Sequence, residues 1–127
     1  MLLRFLFGLA LLLPTSLVTA KETLIDAFLE KDLATFQRAL EKGANPDFYL
    51  DDPQGLTLLM QAIIEGKNDF VRALLTAGVD PNSTNKHGHG VMGVAITTGN
   101  DEAVRLLVEA GADFRNPTTQ SFLVALY

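Results

Sequence analysis

The stretch Val71–Asn82 reads VRALLTAGVDPN, and its spacing decides the fold. Val71, Leu74 and Leu75 recur at i, i+3 and i+4, which places them on one face of a helix. Gly78 follows the last apolar residue, where a helix stops readily because glycine accepts positive φ. Asp80-Pro81-Asn82 then supplies turn chemistry. The same pattern occurs elsewhere in the chain. FQRALEKGANPD at 36–47 and VRLLVEAGADFR at 104–115 align with it without a gap. The glycines at 43, 78 and 111 are 35 and 33 residues apart, and so are Ala27, Ala62 and Ala95 upstream of them. Gly66 and Gly99 are also 33 apart, with Lys31 in the corresponding place of the first unit.

Each unit therefore reads as two short helices and a loop. The first helix spans Thr57–Glu65 in the second unit and Val91–Thr98 in the third, and each ends at a glycine. Asn68-Asp69 and Asn100-Asp101 are expected to cap the second helices. Such a unit cannot bury its apolar face alone, so about three must stack to be stable.

These residues resemble the ankyrin repeat. The second-helix signature V-x-x-L-L-x-x-G-A-x-x-N is followed closely by Val71–Asn82 and by the stretch from Val104 to Asn116. The first-helix signature T-P-L-H-x-A is worn. Thr57-Leu58-Leu59-Met60-Gln61-Ala62 keeps the threonine, leucine and alanine, whereas Glu22–Ala27 keeps only leucine and alanine, and Gly90–Ala95 keeps the alanine. The resemblance implies an all-α fold, an ankyrin-repeat solenoid of about three helix-turn-helix repeats plus a C-terminal half repeat. The repeats are expected at about 21–52, 53–85 and 86–115, with a partial repeat at 116–127. Loss of the Thr–His pair removes a side-chain hydrogen bond worth about 1 kcal/mol per unit, so stability should be modest. Thr119–Tyr127 reads as the first helix of a fourth unit, with Ala125 in register. Phe122, Leu123, Leu126 and Tyr127 either fold back onto the third repeat or leave an end face open to a partner or a second copy. The second alternative makes self-association through this helix an expectation.

Composition narrows the function. The chain has 127 residues, 48% hydrophobic and 20% charged, which is too apolar for a disordered chain. Its net charge is −5, with no basic stripe, so nucleic acid is not an expected partner. It has no cysteine, hence no disulfide, thiolate metal site or thiol nucleophile. Met1–Arg4 form a short positively charged n-region, FLFGLALLL at 5–13 has the length of an h-region, and Pro14 breaks it. Val18-Thr19-Ala20 offers small or modest side chains to a signal peptidase. Residues 1–20 are therefore read as a signal peptide cleaved between Ala20 and Lys21, leaving a domain at 21–127 with no stable membrane insertion. The alternative is an uncleaved anchor, against which the apolar run is short. The leader is bacterial in style, so the expected location is the periplasm, or outside the cell.

Chemistry of other kinds finds little support. His87-Gly88-His89 has no third ligand in the sequence nearby. Gly88 and Gly90 are followed by no phosphate-binding pattern. Ser83 and Ser121 have no evident histidine and carboxylate partners. No enzyme, cofactor or metal is expected.

The resemblance instead implies a protein partner, bound through the loop fingers and first helices. The implied first-helix positions are Leu29 and Glu30, Ile64 and Glu65, and Thr97 and Thr98. In the fingers they are Gln54 and Leu56, then Lys86, His87 and His89. The first finger is two residues longer than the second and carries Phe48-Tyr49-Leu50. Phe48 and Tyr49 join the expected contacts as aromatic anchors, with packing of Phe48 or Leu50 beneath the finger as the alternative. The implied role is binding one dedicated partner, as a toxin-neutralising immunity protein or a protector of an exported enzyme. A secreted effector acting on a host protein is the alternative.

Overall fold

A computed structural model describes residues 18–113. The apolar run at 5–13 and the half repeat read at 116–127, with Phe122, Leu123, Leu126 and Tyr127, lie outside these residues. Among the described residues there are six helices: α1 Ala20–Leu29, α2 Leu33–Glu41, α3 Leu58–Ile64, α4 Asn68–Thr76, α5 Val91–Thr97 and α6 Asp101–Glu109. They pair as α1 with α2, α3 with α4 and α5 with α6. Neighbouring pairs stack through α2 on α4, α3 on α5 and α4 on α6. The described residues form an all-α solenoid of three stacked helix pairs, the architecture the resemblance implies.

Each helix starts where a side chain meets an otherwise unpaired amide, with two exceptions. Thr19 caps α1 in a box with Glu22, Asp32 caps α2 through Thr35, Thr57 caps α3 through Met60, and Asn100 caps α6 through Ala103. Gly90 before α5 and Lys67 before α4 supply no such bond. The expected cap at Asn68 is thus corrected. Lys67, not Asn68, stands 33 residues before Asn100, and Asn68 is the first residue of the helix. The freed Asn68 amide pairs instead with the Asn100 amide, at 2.8 and 3.2 Å.

One contiguous core runs through all three pairs. It includes Leu24, Phe28, Phe36, Leu59, Met60, Phe70, Leu74, Met92 and Leu107. Phe70 meets Phe28 and Phe36 edge-on, with centroids 5.4 and 4.9 Å apart, which ties the first repeat to the second. Two polar reaches repeat along the stack. Lys67 Nζ donates to the Phe28 carbonyl at 3.0 Å, and Asn100 Nδ2 donates to the Ile63 carbonyl at 3.0 Å. Each adds a second donor to a carbonyl in the last turn of the preceding first helix, beside the backbone amides of Lys31 (3.2 Å) and Gly66 (3.1 Å). Lys67 Nζ also lies 3.8 Å from the Phe28 ring centroid, so its charge is buried against a π face.

Candidate interaction face

The loops between repeats rise as two fingers. The first closes through the antiparallel bridge Tyr49–Thr57, the second through Thr84–Gly90. The Leu50 amide donates to the Leu56 carbonyl at 2.7 Å, and the Asn85 amide to the His89 carbonyl at 2.9 Å. A single acceptor side chain organises each tip. Asp52 takes the amides of Gln54 (2.7 Å) and Leu56 (3.3 Å). Asn85 takes those of His87 and His89, both at 2.9 Å. Asn85 is buried, so these bonds are partly shielded from water.

The fingers also hold each other. The Lys86 amide donates to the Gly55 carbonyl at 3.2 Å, and His87 Nε2 lies 3.3 Å from the Pro53 carbonyl oxygen. Gly55 has φ +59°, and a Cβ there would sit 2.7 Å from the Lys86 side chain. The missing side chain lets Lys86 lie across the first finger, with Nζ 5.6 Å from the Tyr49 ring centroid. Tyr49 and Lys86, expected separately as contacts, are thus one preassembled ledge. Sequence reading missed Gly55, Asp52 and Asn85. An Asx residue two before a finger's amides was the available signal.

The first finger's aromatics divide. Tyr49 is 44% exposed, while Phe48 and Leu50 are half-buried against the core. Phe48 therefore chiefly supports the finger, and its outer side carries Lys21 Nζ at 4.9 Å from the ring centroid. Leu56 is a correction of the same kind. It is 8% exposed and belongs to the core. Gln54, His87 and His89 are exposed. The two imidazoles are 6.5 Å apart, and the described residues contain no group of three or more His, Cys, Asp or Glu able to hold a metal ion.

The first-helix positions fall at matching places. Leu29, Ile64 and Thr97 are the last residues of α1, α3 and α5, and Glu30, Glu65 and Thr98 follow them as C-caps. Leu29 is 65% and Ile64 42% exposed, the largest outward apolar side chains on first helices. Glu65 accepts from Gln61 at 3.0 Å and pairs with Lys67 at 3.6 Å. The threonine hydroxyls turn back on their own helix, Thr97 to the Gly93 carbonyl and Thr98 to the Val94 carbonyl at 2.7 Å. The line thus changes from apolar and acidic at repeats one and two to satisfied hydroxyls at repeat three.

No described helix is long and apolar enough to cross a membrane. In comparison with known proteins, a family profile described as ankyrin repeats (3 copies) matches residues 24–118. The chain is also similar to the mouse 2-5A-dependent ribonuclease, 36% identical over 73 residues. That match takes in 58% of this chain and 10% of the ribonuclease. With the profile spanning most of the sequence and the helix pairs stacked in the same register, the chain belongs to the ankyrin-repeat family, whose domains are generally non-catalytic modules for binding other proteins.

Proposed function

We propose that this protein is exported to the periplasm and there binds one dedicated protein partner through the fingers and first helices, without catalysis. The observation that carries the binding face is the outward set Leu29, Ile64 and Tyr49, with Lys86 held against Tyr49. Apolar and aromatic side chains on rigid supports lose little entropy on binding and anchor interfaces well. Glu30 and Glu65 beside the apolar pair suit basic groups on the partner. Export rests on the leader pattern at 1–20. The role we favour is occlusion of a toxin's site, as an immunity protein does, or protection of an exported enzyme. The second reading is a secreted effector that binds a host protein.

Cell fractionation tests the location. Protein recovered in the periplasm supports the first reading, and protein in the medium or in host cells supports the second. A cytoplasmic location overturns both. Cross-linking in the recovered fraction, comparing wild type with a Tyr49→Ala/Ile64→Ala variant, tests the face. One adduct lost in the variant supports it; adducts unchanged by the double substitution overturn it.

A further inference from the structure

The cap of α1 lies on the leader side of the expected scission point. Thr19 Oγ1 accepts the Glu22 amide at 3.1 Å, and Glu22 Oε2 accepts the Thr19 amide at 3.2 Å. The Thr19 carbonyl takes the Thr23 amide at 3.1 Å and the Thr23 hydroxyl at 3.2 Å. Ala20 is already the first helical residue. Its carbonyl is the i−4 acceptor for the Leu24 amide. Scission between Ala20 and Lys21 therefore removes the acceptors of three consecutive amides, those of Glu22, Thr23 and Leu24. It also leaves a new ammonium at the positive end of the helix dipole, beside the Lys21 side chain.

We propose that processing at Ala20–Lys21 is a conformational switch. In the precursor the leader's last two residues complete the fold of the first repeat. In the processed chain they are gone, and the first turn of α1 opens. This rests on the leader reading given above. The consequence reaches the interaction face, because Lys21 Nζ lies over the Phe48 ring of the first finger, 4.9 Å from its centroid. Leu24 is fully buried, so the helix stays docked from there onward. The opening is confined to residues 21–23 and to the Lys21–Phe48 contact.

Two chains test this, one starting at Val18 and one at Lys21, both running to Tyr127, compared by amide hydrogen exchange. The amides of Glu22, Thr23 and Leu24 should exchange roughly tenfold faster in the chain from Lys21, the size of one lost cap. Thr19→Ala in the longer chain should reproduce the gain at Glu22, and Thr19→Ser should restore protection. Equal exchange in the two chains overturns the switch. The intact mass of the exported protein tests the leader reading separately. A first residue of Lys21 supports it. A start at Thr19 or earlier keeps the cap and overturns the coupling to processing, even where the two chains differ in exchange.

Discussion

Lys31 takes a backbone conformation that glycine takes in the other repeats. Its φ is +59°, against +70° at both Gly66 and Gly99. A side chain in the left-handed region costs about 1–2 kcal/mol, and glycine gives back part of that by its greater freedom when unfolded. Lys31→Gly should therefore stabilise the chain by about 0.5–1 kcal/mol, read as a higher urea midpoint at unchanged slope. Gly66→Ala should do the reverse by a similar amount. A Lys31→Gly midpoint at or below wild type would show that the lysine makes a compensating contact. Nearby, Lys67 buries its ammonium on Phe28 and on that residue's carbonyl. Lys67→Met keeps the stem but removes one hydrogen bond and the cation–π contact, while the Lys31 amide still donates to the carbonyl at 3.2 Å, and should cost about 0.5–1.5 kcal/mol in the same titration.

Among the elements, α6 carries the clearest electrostatic signature. Glu102 sits in the first turn of α6, and Arg105 donates to its carboxylate while Arg72 of α4 approaches at 3.3 Å. The hydrogen bond from Arg105 holds the Glu102 carboxyl below its ordinary value of 4.5. The folded state thus prefers the ionised form. Its contribution is complete above pH 4.5 and is lost as pH falls through the lower folded value. Glu102→Gln should flatten the acid limb of stability below pH 4.5 and lower the neutral plateau by the same small amount, as an exposed pair contributes little. The second finger gives a larger effect. Asn85→Ala strands two amides in a partly shielded tip and should lower stability by about 2 kcal/mol, visible as a fall in melting temperature.

These elements also mark what the sequence could convey. The repeat register was legible because glycine spacing and the i, i+3, i+4 apolar pattern are local. The second-unit cap was misplaced by one residue because Asn68 looks like a cap, while the register assigns that place to Lys67. The ledge of Tyr49 on Lys86 was illegible. It depends on Gly55 making room for a side chain from the next finger, a contact between loops that no spacing encodes. Leu56 was misread for a related reason: its carbonyl accepts the Leu50 amide across the base of the finger and its side chain packs into the core, a closure between distant loop residues.

Across the whole molecule, the two interfaces between repeats use different chemistry. Repeats one and two meet through the Phe28–Phe70–Phe36 cluster and Lys67. Repeats two and three meet through the reciprocal Asn68–Asn100 amides, the Asn100 reach to Ile63 and the Arg72–Glu102 pair. In a long array such interfaces could open separately. Here about three units are the minimum that can bury a continuous face, so losing either interface leaves too little core for the remainder. Phe70→Ala removes most of an aromatic ring from the first interface and should cost about 3–5 kcal/mol. Asn100→Ala removes a helix cap and a shielded amide pair from the second and should cost about 2–3 kcal/mol. Despite their different places, both should lower one shared unfolding midpoint, with helical circular dichroism lost in a single step. If Phe70→Ala instead split the transition, with exchange protection lost in α1 and α2 while α5 and α6 kept theirs, the repeats would be independent units and the minimum-array argument would fail.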